Sequence, residues 1–156
     1  MSTEEQKTYL DTLRYDYVAA VHDKDLAELH YQKLEQMAEQ NALMLAFWAG
    51  FEALVAKHKW NPYDKLKLLN AAMQKFDRAV AADPNQAEIR FLRFSVEHYL
   101  PDFLKKQNHL EEDRRIIFQF FDSSLPDATT QAAIARFMLE SGRCGRAETK
   151  KYSNFL

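Results

Sequence analysis

Turn-forming residues are scarce in this chain of 156 residues, which contains only three glycines and four prolines. A β-sandwich or a β-barrel needs many more of these residues at its turns. Valine and isoleucine, which favour strands, number nine together, whereas alanine, leucine, glutamate, lysine and glutamine dominate. The composition therefore predicts an all-α protein and excludes an all-β one.

Cysteine is also nearly absent, and the net charge is small. The single cysteine, Cys144, cannot form an internal disulfide, so nothing points to an oxidising compartment. Basic residues number 21 and acidic residues 23, which gives a net charge of -2. Binding to nucleic acid through a basic field needs an excess of lysine and arginine, so no nucleic-acid partner is expected. Glycine-rich phosphate loops and hydrolase motifs are missing as well, and no cofactor is predicted.

Long hydrophobic runs are missing too. A membrane-spanning helix needs about 18 or more apolar residues. The longest candidate, Ala42 to Ala56, is shorter and contains Glu52, so we expect a buried core helix and no membrane span. The segment Met1 to Gln6 lacks the basic and apolar regions of a signal peptide. We expect a cytoplasmic protein, or an exported one if a signal peptide has been removed from this sequence.

Helical periodicity is what the chain does have. Apolar residues recur at spacings of three and four in about eight segments, and short turn sequences separate these segments. The stripe of the helix that starts at Tyr63, for example, is predicted to begin at Leu66. Helices joined by short turns pack antiparallel, so we predict stacked αα-hairpins. The segment Pro101–Asn108 is predicted to be the least regular.

One pattern is typical of a helical repeat. In Ala72-x3-Phe76-x2-Ala79-x4-Pro84, small, large and small residues precede a proline at fixed offsets. This segment resembles the second helix of a tetratricopeptide repeat (TPR). The resemblance implies a TPR-like right-handed α-solenoid. It departs from a regular array, because Pro84 and Pro126 lie 42 residues apart, against about 34 residues in a TPR.

The TPR resemblance also implies a domain organisation. We predict one TPR-like domain over residues 1–156, with an irregular N-terminal hairpin at 1–40 and a TPR-like core at 42–150. Residues 45–120 also resemble a group of small uncharacterised bacterial proteins, which implies a fold but no reaction. That second resemblance rests on Asn61-Pro62-Tyr63, Asp83-Pro84-Asn85, the run Glu88 to Phe94, Pro101, Phe103-Leu104 and Glu112-Asp113.

Charged residues share one face of the predicted helix after Pro84. Arg90, Arg93 and Glu97 are spaced three and four residues apart, and Asp113 on the following helix can pair with an arginine across the hairpin. One interpretation is a pocket for an anion or a peptide carboxylate. The favoured interpretation is a salt-bridge network that locks an irregular hairpin, because an arginine among phenylalanines must be paired or reach solvent.

We predict a non-catalytic protein-interaction module that binds a peptide or a partner helix in a TPR-like groove. One alternative is a small-molecule-binding or enzymatic helical domain with a pocket of arginine, glutamate and histidine. Another is a structural homo-oligomer. The predicted partner-binding residues are Glu88, Arg90, Phe91, Arg93, Ser95, Glu97, His98 and Tyr99.

Neither the histidines nor the cysteine predicts a further site. None of the five histidines has a histidine or cysteine three or four residues away, so we predict no metal site. Cys144 lies between Gly142 and Gly145 and beside two arginines. Neighbouring cations can lower the pKa of a thiol, but the favoured interpretation is an incidental exposed cysteine.

Overall fold

The computed structural model describes residues 1–37, 41–104 and 108–156. Over these residues the chain forms eight α-helices, one short 3-10 helix and no strand, which confirms the all-α prediction. The α-helices are α1 (Thr3–Ala20), α2 (Lys24–Glu35), α3 (Ala42–His58), α4 (Pro62–Ala82), α5 (Ala87–Tyr99), α6 (Leu110–Ser124), α7 (Ala128–Glu140) and α8 (Arg146–Ser153). The 3-10 helix is Asp102–Leu104.

Local capping explains where several of the helices begin or end. The Oδ1 atom of Asn41 accepts the backbone N–H of Met44 at 2.8 Å, and the Oδ1 atom of Asp127 accepts that of Thr130 at 2.8 Å. Such caps satisfy N–H groups that have no partner in the first turn of a helix. Gly142 follows α7 with a φ of 73°, a left-handed conformation that glycine adopts without strain.

The chain divides into two compact units, unit 1 (Met1–Ala82) and unit 2 (Asp83–Leu156). Unit 1 contains α1 to α4, and unit 2 contains α5 to α8. This division differs from the predicted one, which separated residues 1–40 from a core at 42–150. Residues 38–40, where the predicted hairpin ends, lie outside the described residues. The prediction of one TPR-like solenoid domain stays a prediction.

Helix α3 is the centre of unit 1, because α1, α2 and α4 all pack against it. Eleven of its seventeen residues are buried, which accounts for apolar residues all around the helix. Gly50 lets α1 approach closely, since a Cβ atom there would lie 2.8 Å from the Tyr17 ring. That ring packs edge-on against Phe47 and Phe51.

One position of the apolar stripe predicted for α4 is wrong. The buried stripe of α4 consists of Leu69, Ala72, Phe76 and Ala79, and Leu66 is 41% exposed. The apolar periodicity of the sequence extends one turn further toward the N-terminus than the buried part of α4 does.

Unit 2 has its own core, which draws on all four of its helices. Phe94, Ile117, Phe121 and Tyr152 are among its fully buried members. Helix α5 packs against α6, and α7 packs against α8.

Two departures from α-helical geometry occur in the described part of the α5–α6 hairpin. The predicted irregular segment Pro101–Asn108 includes residues 105–107, which lie outside the described part, and the 3-10 helix occupies its beginning. Helix α6 bends at Phe120, whose φ of -107° and ψ of 15° are not helical. The Ser124 hydroxyl donates to the Phe120 carbonyl at 2.7 Å and accepts the backbone N–H of Ala87 at 2.9 Å. The bend therefore places a cap on the first turn of α5.

Candidate functional site

The eight predicted partner-binding residues lie on α5, but they differ strongly in exposure. Phe91 and His98 are half-buried, and Tyr99 is 76% exposed. The buried ones are Glu88, Arg90, Arg93, Ser95 and Glu97. The accessible part of the predicted face is therefore its aromatic part, and its charged part is buried.

Arg90 and Arg93 both bind the carboxylate of Asp113 on α6. Arg93 uses two parallel bonds, from Nε to Oδ2 and from Nη2 to Oδ1, each of 2.8 Å. Arg90 donates from Nη1 to Oδ1 at 3.1 Å and from Nε to the carbonyl of Pro84 at 2.9 Å. The predicted ion pair across the hairpin is confirmed.

This network balances its own charge. Asp113 is fully buried, and the second carboxylate comes from Glu112, whose Oε2 lies 3.1 Å from Arg90 Nη1 and 3.4 Å from Arg93 Nη2. A buried charge without a partner costs several kcal/mol, so two guanidinium groups need two carboxylates. The arginines therefore hold α5 to α6 and to the turn at Pro84, as expected of a salt-bridge network that locks the hairpin.

Glu97 makes a second polar link in the same hairpin. Its Oε2 atom accepts the backbone N–H of His109 at 2.9 Å, and its Oε1 atom faces Nδ1 of the same histidine. His109 precedes α6 and supplies no side-chain cap of its own. The buried carboxylate of Glu97 thus acts at the N-terminus of α6, where negative charge is stabilising.

An aromatic face lies where α5 meets α7; it consists of Phe91, His98, Tyr99 and Phe137. The Phe137 ring packs edge-on against the other three, with centroids 5.3 Å from Phe91, 5.8 Å from His98 and 6.1 Å from Tyr99. Offset and edge-to-face pairs of this kind are stabilising. Phe137 lies far from α5 in sequence, so no local spacing predicted its place here.

Arg143 borders the aromatic face. Its Nε atom donates to Nδ1 of His98 at 3.0 Å. Arg143 also lines a cleft of about 400 Å³ at the start of α6, together with Asn108, Leu110, Glu111 and Arg114. A hydrogen bond from the Arg114 guanidinium lowers the pKa of Glu111, and that guanidinium is also paired with Glu148.

Cys144 is not activated. Its thiol donates to the carbonyl of Met138 at 3.2 Å, and burial raises its pKa from 9.0 to about 11. The nearby Arg114 lowers that pKa by less than burial raises it. Since only the thiolate is nucleophilic, the thiol has little reactivity at neutral pH.

Unit 1 has two polar clusters of its own. Glu52, buried in α3, accepts from Lys75 Nζ at 2.8 Å and from the Tyr31 hydroxyl at 3.0 Å. His30 Nε2 lies 2.6 Å from an Asp16 carboxylate oxygen, while its buried Nδ1 has no hydrogen-bond partner among the residues that the structure describes. A separate open cleft of about 610 Å³ lies along α1 and the end of α2, and its lining includes Thr8, Tyr9, Lys33, Gln36 and Met37.

Across residues 1–37, 41–104 and 108–156, no group of three or more histidine, cysteine, aspartate or glutamate side chains is placed to hold a metal ion. Within the same ranges, no helix combines the length and hydropathy that a membrane crossing requires. Comparison of the chain with protein-family models, curated proteins and solved structures gives no match.

Proposed function

We propose that this protein is a non-catalytic protein-interaction module, in which unit 2 holds a segment of a partner protein against the aromatic face. The observation that carries the proposal is the exposure of Tyr99, whose ring is 76% accessible although it packs against His98 and Phe137. A partner can cover that ring without any rearrangement of the helices. The TPR-like groove implied by the sequence is the kind of surface that such a segment would occupy.

The chemistry of this face supports a protein partner. Tyrosine, phenylalanine and arginine are enriched in the centres of protein interfaces, where large rigid rings contribute contact area at low conformational cost. Arg143 extends the aromatic face with an exposed guanidinium, whose Nε is already fixed by His98. The segment that fits best is therefore one with an apolar anchor residue next to a carboxylate.

The buried charges support binding over catalysis. An enzymatic pocket built from arginine, glutamate and histidine would need these groups to face a substrate. In unit 2 Arg90 and Arg93 bind Asp113, and Glu97 binds His109. These bonds hold α5 on α6, and they present the aromatic face on a rigid support.

The test is an affinity capture from a lysate of the source cell, with quantitative mass spectrometry of the bound proteins. Tyr99→Asp is compared with wild type and with Tyr15→Asp. Tyr15 is a matched control, because it is also a tyrosine on a helix and is 80% exposed. We expect at least one protein to be captured by wild type and by Tyr15→Asp and to be lost with Tyr99→Asp, while circular dichroism shows all three to be folded.

Direct binding measurements then test whether the aromatic face binds the captured protein. Peptides that tile the captured protein are labelled and titrated with wild type and with Tyr99→Asp, and fluorescence anisotropy reports the dissociation constants. Removing a central aromatic anchor costs about 2 kcal/mol or more, so binding should weaken roughly 30-fold. Equal binding by both proteins would overturn the proposal. A mass that rises with concentration for wild type and not for Tyr99→Asp, measured by sedimentation, would assign the face to a second copy of the chain instead.

A further inference from the structure

Exposed apolar side chains gather in unit 1, at the segment that we call the α3–α4 turn (Lys57–Lys67). Trp60 is 89% exposed, Tyr63 73% and Leu66 41%. These residues are three apart in sequence, and the last two share one face of α4. Large apolar groups that lie this close together on a surface mark a site of contact with something other than water.

The same segment is basic. It contains four lysines and one aspartate, which gives a formal charge of +3 in a chain whose net charge is -2. Lys57 donates to the carbonyl of Val21 at 2.6 Å. Among the described residues, no carboxylate lies within ion-pair distance of Lys59, Lys65 or Lys67. Three cations therefore flank the exposed rings.

The neighbouring α1–α2 turn does not cancel this charge. It lies close to the end of α3, because His58 Nε2 is 3.1 Å from the Ala20 carbonyl. It adds Asp23, Lys24 and Asp25, so this end of unit 1 keeps an excess of basic groups.

The α3–α4 turn is also held in one conformation. Asn61 Oδ1 accepts the backbone N–H groups of Tyr63 at 2.8 Å and of Asp64 at 3.4 Å. Pro62 occupies the first position of α4, where its fixed φ suits a helix. Because the turn is ordered in advance, a ligand that covers it meets a low conformational cost.

We infer that the α3–α4 turn docks on the surface of an anionic lipid bilayer. Tryptophan and tyrosine favour the level of the lipid headgroups, and lysines next to them are attracted to negatively charged lipids. The turn has lysines and no arginine, and a lysine is a point charge suited to a diffuse negative surface, whereas the arginine fork suits individual carboxylates and phosphates. Neither cleft described above includes these residues, and a bilayer surface needs no groove.

The first test uses the tryptophan fluorescence of the full chain. Trp48 is half-buried in α3 under the Lys75 ammonium, so Trp60 is the tryptophan that can enter a bilayer. Vesicles of phosphatidylserine and phosphatidylcholine in equal parts are compared with vesicles of phosphatidylcholine alone. We expect the emission to shift to shorter wavelength with the anionic vesicles only, and the shift to be missing in Trp60→Phe.

Vesicle sedimentation measures the contribution of the lysines. Each lysine near an anionic surface strengthens binding roughly fivefold, so Lys59→Gln/Lys65→Gln/Lys67→Gln should weaken it about 100-fold at low salt. The matched control is Lys7→Gln/Lys33→Gln/Lys150→Gln, which removes the same charge from exposed positions elsewhere. The control should bind within about twofold of wild type. Added salt should weaken the binding of the control and of wild type alike.

Three outcomes would overturn the inference. One is equal binding to the two kinds of vesicle, and another is an equal loss in both triple variants, which would indicate an effect of net charge alone. The third is an absence of binding to the anionic vesicles; capture of an acidic protein or a nucleic acid that the first triple variant loses would then assign the turn to that partner. Tyr99→Asp should bind vesicles like wild type, so failure here and failure of the proposed protein interaction are distinguishable.

Discussion

The two units of this protein bury charge in different ways. Unit 1 is built around an apolar helix, α3, and places one buried carboxylate in it, Glu52, opposite Lys75. Unit 2 also has an apolar core, but its α5–α6 contact includes a buried polar network, in which Asp113 receives two arginines. The first arrangement adds one ion pair to an apolar core, whereas the second makes ion pairs part of the helix contact itself.

This difference matters because the cationic side chains of the two units differ in their access to water. The Lys75 side chain is 14% exposed, so its ammonium can turn to water if Glu52 is lost. The side chains of Arg90 and Arg93 are 6% and 3% exposed, and they have no such route. Loss of a carboxylate should therefore be more damaging in unit 2 than in unit 1.

The largest effect is expected from Asp113→Ala. It removes the buried carboxylate that both guanidinium groups share and leaves them the largely exposed carboxylate of Glu112, and breaking a buried pair in this way costs about 3–5 kcal/mol. Urea unfolding followed by circular dichroism measures the free energy of unfolding. Glu112→Ala is the control, because 53% of the Glu112 side chain is exposed and an exposed pair is worth about 0–1 kcal/mol. Similar losses for the two variants would contradict the view that the network depends on burial.

The reactivity of the Cys144 thiol reports on the packing of unit 2, and the sequence of unit 1 contains no cysteine. Burial raises the pKa of its thiol to about 11 from 9.0, so the protonated form is favoured in the fold. The stabilisation from this shift is fully present below pH 9 and is lost as the pH rises through 11. At pH 8 alkylation by iodoacetamide should be roughly 100-fold slower than in the urea-unfolded chain. A folded-state rate that levels off near pH 9 would show that the thiol is not shielded.

Glu52→Ala is expected to cost less than Asp113→Ala, about 1–3 kcal/mol. The Tyr31 hydroxyl loses an acceptor, but Lys75 can reach solvent. Both tryptophans lie in unit 1, so their emission during urea unfolding reports this variant directly. A loss as large as that of Asp113→Ala would remove the distinction drawn between the units.

Much of the fold was predictable from the sequence because its signals are local. Asn41 fixes a helix end through its side-chain oxygen, and Pro62 and Gly142 do so through their backbone conformations; the helix bounds follow these residues closely. The apolar stripe of α4 was right over its buried part and wrong at Leu66, because periodicity does not show where packing stops.

The site was less predictable for a physical reason. The pairing of Asp113 with the arginines was predicted, but the link between Glu97 and His109 spans twelve positions of sequence with no repeating pattern. Contacts of Phe137 and Arg143 with α5 depend on how α7 packs, which periodicity does not encode. Exposure was the other missing information, since a helical stripe does not separate a buried arginine from one that faces a ligand.

Gly50→Ala tests the close approach that defines the core of unit 1. The added Cβ atom would lie 2.8 Å from Tyr17, whose ring is held between Phe47 and Phe51. Overpacking costs about 1–3 kcal/mol, and alanine regains about 1 kcal/mol of helix propensity. We expect a net loss of about 1 kcal/mol, measured by urea unfolding. In Gly50→Ala/Tyr17→Leu the clash is relieved, so the double variant should lose less than the sum of the two single variants; strict additivity would place the strain elsewhere.

The smallest effect is expected from replacing a helix N-cap, and this effect can be compared between the two units. Asn41 in unit 1 and Asp127 in unit 2 each accept one backbone N–H at 2.8 Å at the start of a helix. Replacing such a cap by alanine costs about 1 kcal/mol, because the N–H group then loses its partner. Serine at either position restores an acceptor and should recover most of the loss, as thermal unfolding would show. If serine rescued unit 1 but not unit 2, the Asp127 carboxylate would have to act through its charge, and the difference in how the two units use charge would extend to the ends of the helices.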